Sequence, residues 1–157
     1  MDARRFREVL GSYPTGVTVV TGRSGDGVPF GLTVNSFTSV SLDPPLVLVC
    51  IDRLSSSHDP LVEGGSFVVN VLARGQMGLA TRFASEPSAG RFDGVAWDEG
   101  PLGDPVLPDA VAWLACSLEA VHGAGDHSIL VGRVEALEGS DREALAYHRG
   151  SYAMVAP

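Results

Sequence analysis

Short runs of β-branched and apolar residues recur from one end of this chain to the other, each soon cut off by glycine, proline or aspartate. Thr15 to Gly22, Pro29 to Val34, Leu46 to Ile51, Ser66 to Leu72, Ala110 to Val121 and Ser128 to Leu137 all have this form. Val, Ile, Thr and aromatic side chains suit a pleated surface. Tight turns such as Arg23-Ser-Gly-Asp-Gly27 join neighbouring runs, which favours antiparallel pairing. A doubly wound parallel sheet needs a helix between successive strands, and the sequence lacks that regular alternation. The pattern predicts a mainly β domain with about seven strands and short helices, built as an antiparallel barrel.

Ala3, Phe6, Val9 and Leu10 recur at helical spacing, with Asp2 placed to cap the helix and Gly11 to stop it. Gln76 to Ala84 puts Met77, Ala80, Phe83 and Ala84 on one helical face. A third short helix is expected after a cap at Ser57 or Asp59, with Pro60 at its first position and Gly64-Gly65 as its stop. Arg142 to Tyr147 carries a further helical pattern. Among the strands, Phe37, Val40 and Leu42 are expected as core contacts, and Leu46 to Ile51 as a strand buried on both faces. Ala112, Leu114, Cys116, Leu118 and Ala120 should share one face, as should Ile129, Val131 and Leu137. Trp97 to Pro108, rich in proline and glycine, reads as a surface excursion.

With 157 residues and 45% apolar content, the chain fits one domain over residues 1–157 with a single core. A net charge of −8 argues against nucleic acid or an anionic membrane as partner, since both require basic patches. The longest apolar run, Leu46 to Ile51, is far too short to span a bilayer. Residues 1–10 form an amphipathic pattern rather than an apolar signal region, so a cytoplasmic location is expected. Cys50 and Cys116 lie in apolar runs without a CxxC neighbour and read as buried free thiols.

The familiar chemical motifs are weak here. Gly22-x-x-Gly25-x-Gly27 and Gly123-x-Gly125 lack the strand and helix that a dinucleotide fingerprint requires, and no P-loop is present. His122 and Asp126-His127 form a close His/Asp set without a third ligand nearby, and no metal is expected. There is no GxSxG elbow for acyl transfer. What stands out is Gly31 to Cys50, where Thr33, Asn35, Ser36, Thr38, Ser39 and Ser41 supply hydroxyls and an amide with few charges. Such a segment can hold an anionic, aromatic ligand through neutral donors, and it can equally be the solvated face of a barrel.

Several segments in order carry a resemblance. Phe6 to Leu10, Tyr13-Pro-Thr-Gly-Val-Thr-Val-Val-Thr21, Gly31 to Leu46, Phe67-Val-Val-Asn-Val-Leu72, Gly125-Asp-His-Ser-Ile-Leu-Val-Gly-Arg-Val134 and Tyr147-His-Arg-Gly-Ser-Tyr152 together resemble the flavin reductase family. These are FMN-binding split-barrel proteins that act as reductase components of two-component flavin monooxygenases. The resemblance implies an antiparallel split β-barrel, a homodimer, FMN or FAD as cofactor, NADH or NADPH as reductant, and a separate monooxygenase as partner. No basic pair is placed to read a 2′-phosphate, which favours NADH. A flavin-binding or electron-carrier protein without reductase activity is the alternative on the same fold.

The resemblance also assigns residues. Thr33, Val34, Asn35 and Ser36 would face the isoalloxazine and ribityl chain, and Ser55 and Ser57 would hold the phosphate with adjacent backbone N–H groups. Arg82 or Arg91 could add charge-assisted bonds, or remain solvated. His127 would orient the nicotinamide, unless it serves only to close a strand turn, and Arg149 and Tyr152 would approach the nicotinamide pocket from the C-terminal segment.

Overall fold

A computed structural model describes residues 1–155, leaving the last two positions of the expected 1–157 domain outside the described residues. Helix α1 (Ala3–Leu10) starts where Asp2 accepts the Arg4 N–H at 3.0 Å and ends where the Gly11 N–H donates to the Arg7 carbonyl at 2.8 Å. None of its residues is buried. Strands β1 (Thr15–Gly16), β2 (Thr18–Arg23), β3 (Pro29–Val34), β4 (Thr38–Leu42) and β5 (Pro45–Asp52) follow. Then come α2 (His58–Gly64), β6 (Ser66–Val71), α3 (Met77–Ser85), β7 (Asp98–Glu99) and β8 (Pro105–Val106). The long hairpin β9 (Ala112–Ala124) and β10 (His127–Gly139) and the short hairpin β11 (Leu145–His148) and β12 (Ser151–Met154) complete the order.

Seven strands form one sheet in the order β3-β2-β6-β9-β10-β5-β4, and every pairing in it is antiparallel. Its two edges, β3 and β4, are consecutive in the chain and joined by residues 35–37. A flat sheet could not place both edges at the ends of so short a link, so the sheet curls into a split barrel. One core cluster confirms the curl: Val20 of β2, Val49 and Ile51 of β5, Phe67 and Val69 of β6, Cys116 of β9 and Leu130 of β10 all meet in it. Each fully buried Val, Leu or Phe side chain contributes roughly 1.5–3 kcal/mol.

The outer face has its own cluster, where Ala80 and Phe83 of α3 pack with Val19, Leu72, Leu107 and Leu145. Val19 and Val20 therefore serve opposite faces, which is why β2 is buried throughout its apolar run. A second sheet, β1-β11-β12, closes one side.

Several local expectations are corrected. Residues 145–148 are a strand, not a helix, because Arg149 (φ 49°) and Gly150 (φ 80°) make a two-residue turn that pairs Tyr147 with Tyr152. Val40 and Leu42 are 49% and 95% exposed on the edge strand β4, and only Phe37 of that expected trio packs on the core. On β10 the buried residues are Ser128, Leu130 and Gly132 rather than Ile129 and Val131, and Leu137 is exposed where the hairpin outruns the core. On β9, Leu114, Cys116 and Leu118 meet the same core cluster as expected, while Ala115 on the opposite face joins another, and β9 and β10 change register at Val131/Gly132 and Val134/Ala136. Pro60 lies in the third position of α2, and Met77 and Ala84 are exposed. The 97–108 excursion is anchored, with Val106 and Leu107 buried. Both cysteines are free; Cys116 is buried and Cys50 half-buried.

Candidate active site

The site forms at the seam between the two sheet edges. Thr18 Oγ1 donates to the Val34 carbonyl at 2.8 Å and Thr33 Oγ1 donates to the Ala80 carbonyl at 2.7 Å, fixing the end of β3 between β2 and α3. Ser36 Oγ then accepts the Cys50 N–H at 2.9 Å and donates to the Cys50 carbonyl at 3.0 Å, fixing the link to β5. Asn35, between these two anchors, is exposed. The hydroxyls of Thr33 and Ser36 are thus committed to the fold, and the segment's other polar groups are what it can offer a ligand.

A cavity of about 190 Å³ opens here, lined by Val17, Thr33, Val34, Asn35, Tyr147 and Tyr152. The two tyrosine rings stand edge to face, 5.5 Å apart, as cross-strand partners on β11 and β12. The structure therefore unites Thr33, Val34, Asn35 and Tyr152 as expected and adds Val17 and Tyr147. The signal for Tyr147 lay in the Tyr147-His-Arg-Gly-Ser-Tyr152 segment, where a two-residue turn brings both rings to one face.

Beyond β5 the chain turns repeatedly. The Ser55 N–H donates to the Asp52 carbonyl at 3.0 Å, the Ser57 N–H to Ser55 Oγ at 3.2 Å, and the His58 N–H to the Ser55 carbonyl at 3.0 Å. Ser57 is 1% exposed, and its Oγ has no hydrogen-bond partner. An orphaned buried hydroxyl is unfavourable by about 1–3 kcal/mol, a loss that an incoming acceptor could relieve. This fits an oxyanion held by neutral groups.

His127 opens β10 opposite Asp52. Its Nδ1 lies 2.7 Å from Asp126 Oδ1, and the imidazole is 41% exposed. A carboxylate only accepts, so Nδ1 carries the proton facing Asp126 and Nε2 is left toward solvent. The His127 hydrogen bond and charge hold the Asp126 carboxyl below its usual range.

The arginines behave differently. Arg82 donates from Nε to the Arg91 carbonyl at 2.8 Å and from Nη2 to the Gly90 carbonyl at 2.9 Å. Arg91 donates to the Glu86 carbonyl at 2.9 Å and the Gly31 carbonyl at 2.8 Å. Both guanidinium groups staple the 86–93 loop to its neighbours, a third use beside the ligand-binding and solvated ones expected. Arg149 sits exposed at the tip of the β11–β12 turn, with its N–H donating to the Gly11 carbonyl at 2.8 Å. Among the described residues, no group of three or more His, Cys, Asp or Glu side chains could hold a metal.

The flavin reductase like domain family matches residues 10–156. The chain is 45% identical over 151 residues to a probable flavin reductase of Rhizobium meliloti, covering 96% of this chain and 48% of that protein. It is 44% identical over 158 residues to HsaB, the reductase subunit of a flavin-dependent monooxygenase from Rhodococcus jostii, covering 100% of this chain and 80% of that one. Among solved structures, the NADH:FAD oxidoreductase SgcE6 of Streptomyces globisporus superposes with a TM-score of 0.94 at 40% identity, covering 99% of this chain and 95% of that one. The chain thus spans about half the length of the first relative and most of the other two. It belongs to the flavin reductase like domain family.

Proposed function

We propose that this chain is an NADH-dependent flavin reductase, using FMN or FAD and supplying reduced flavin to a separate flavin-dependent monooxygenase. The observation that carries the reading is convergence on one end of β5. Ser36 is tied to Cys50, the serine loop departs from Asp52, and Asp52 pairs with His127. Cavity, hydroxyl loop and histidine therefore lie within a few residues of one another. The names of the relatives support the same reading: HsaB is a monooxygenase reductase subunit, and SgcE6 is also known in complex with NAD and FAD fragments.

The flavin, when bound, supplies the ring nitrogen N5 that accepts hydride. The chain's residues do the rest. Val34 and Asn35, with the backbone of Thr33 and Ser36, face the ring and ribityl chain, while Ser55 and Ser57 hold the phosphate. The chain contains no lysine, in keeping with neutral donors at that position. His127 Nε2 orients the nicotinamide, and hydride transfer needs this alignment more than an acid. Tyr152, with Tyr147, walls the ring side of the cavity, Arg149 sits exposed at the tip of the turn between them, and Arg82 and Arg91 act by holding the 86–93 loop.

We read the working form as a homodimer, supported by the exposed apolar residues Phe6, Val9, Leu10 and Leu42. The location is read as cytoplasmic; no described helix is long and apolar enough to cross a membrane. Purified protein with FMN or FAD should consume NADH, followed at the nicotinamide absorbance. Flavin binding without NADH consumption would overturn the reductase reading in favour of a flavin carrier.

A further inference from the structure

His58 is more confined than His127, with its side chain 12% exposed against 41%. Its Nδ1 lies 2.7 Å from Asp59 Oδ1 and its Nε2 lies 2.9 Å from Ser128 Oγ. Because the carboxylate can only accept, Nδ1–H donates to Asp59, and in the neutral ring the Ser128 hydroxyl donates to Nε2. Ser128 is itself 4% exposed and follows His127 directly on β10. The imidazole thus spans from the start of α2, immediately after Ser57, to the strand that bears the nicotinamide histidine.

A second tie crosses the same gap. The Arg53 N–H donates to the Asp126 carbonyl at 3.0 Å, and the Arg53 guanidinium donates to the Gly125 carbonyl. The 52–58 loop is therefore fastened at both ends to the turn that presents His127, through Arg53 at one end and His58 at the other. Only the second fastening relies on a hydrogen bond between two side chains, His58 and the buried Ser128.

We infer that His58 is a positioning residue that sets the phosphate-holding serine loop against β10, so that flavin phosphate and nicotinamide are registered by one buried hydrogen-bonded bridge. The inference rests on the assignment of Ser55 and Ser57 to the phosphate. It predicts a specificity effect that a merely structural histidine would not produce. Losing the bridge should weaken ligands that carry the phosphate and spare those that lack it.

The test compares FMN with riboflavin, which has the same ring and no phosphate, by fluorescence quenching of the intact protein. His58→Ala should weaken FMN binding about tenfold and riboflavin less than twofold. Ser128→Ala should do the same, and the double variant should add little to either, because both break one bridge. His58→Gln, which keeps a polar group near the Nε2 position, should recover most of the FMN affinity and guards against loss of fold in the alanine variant. An unchanged FMN-to-riboflavin ratio in folded His58→Ala or His58→Gln,Ser128→Ala protein would overturn the positioning role. If the unaltered protein itself fails to prefer FMN over riboflavin, the phosphate assignment falls instead, so the two failures are distinguishable.

Discussion

The Ser36 hydroxyl makes a two-way bond with the backbone of Cys50, accepting its N–H at 2.9 Å and donating to its carbonyl at 3.0 Å. A side chain here stands in for a strand partner. Pairing of β4 with β5 reaches only Thr38 and Leu48, so Cys50 has no neighbour on that side except Ser36. Ser36→Ala should lower unfolding free energy by about 1–3 kcal/mol, because it strands two backbone groups in a half-buried place. Urea midpoints check this. Flavin affinity should fall with it, since Asn35 loses one of its two anchors. An unchanged midpoint would mean that water takes over the bond and that the clamp is dispensable.

His127 should separate catalysis from flavin binding. Its imidazole faces solvent beside the turn, held from behind by Asp126. His127→Ala is expected to reduce kcat/KM for NADH by ten- to a hundredfold, on the order of 1.4–2.7 kcal/mol, while flavin Kd changes less than threefold. Steady-state kinetics and equilibrium titration give the two numbers. A larger loss in flavin affinity than in NADH turnover would move His127 out of the nicotinamide pocket and into the flavin site.

The strands are legible in the chain because β-branched runs and glycine turns act locally, and the hydroxyl-rich segment is legible because its composition is unusual for a buried link. What the sequence does not reveal is which hydroxyls are already spent. Thr33 and Ser36 look like free donors until α3 and β5 take them up, and only the fold can bring Ala80 and Cys50 within reach. The partners of Arg82 and Arg91 are equally hidden, being carbonyls of the 86–93 loop and of Gly31 on β3, whose approach no periodicity marks. On β10 Ile129 and Val131 alternate with equally regular Ser128 and Leu130, and nothing in the alternation says which set faces the core; Val40 and Leu42 alternate as core residues do while lying on an edge. Three-dimensional accounting of donors and acceptors shows which of the proposed site residues have hydroxyls and guanidinium groups already engaged by the fold.

Asp104 gives the protein a pH-dependent clasp. Its carboxylate accepts the Ser66 hydroxyl at 2.6 Å and the Arg23 N–H at 3.0 Å, tying the 97–108 excursion to the sheet. Burial raises its carboxyl above the ordinary value of 3.8, more than the Ser66 and Arg23 bonds and the Arg23 charge lower it. A carboxyl raised in the folded state favours folding while protonated. That contribution is full below the unfolded value and is lost as pH rises through the folded one. Asp104→Asn cannot ionise, yet its amide can still accept from Arg23 and donate to Ser66. The stability of the asparagine variant relative to the unaltered protein should therefore increase between about pH 3.5 and pH 7, as melting temperatures across that range would show. A flat difference would mean that the carboxylate is not penalised by its burial.

The proposed dimer can be tested at one residue. Leu42 is 95% exposed on the edge strand β4, and an edge with apolar side chains is a surface that another chain can cover. In a two-fold pair each substitution counts twice. Losing the burial of one leucine removes roughly 1.5–3 kcal/mol, so Leu42→Glu in both copies should weaken association by about 3–6 kcal/mol, or on the order of a hundredfold to ten-thousandfold in Kd. Sedimentation equilibrium at micromolar protein should then find a monomer with an unchanged circular dichroism spectrum, because Leu42 makes no core contact to lose. Phe6→Glu on α1, where no residue is buried, probes the other exposed apolar stripe in the same way. A dimer that survives Leu42→Glu but not Phe6→Glu would place the shared surface on the N-terminal helix, and unaltered protein that sediments as a monomer with full NADH turnover would remove the dimer from the account of the site.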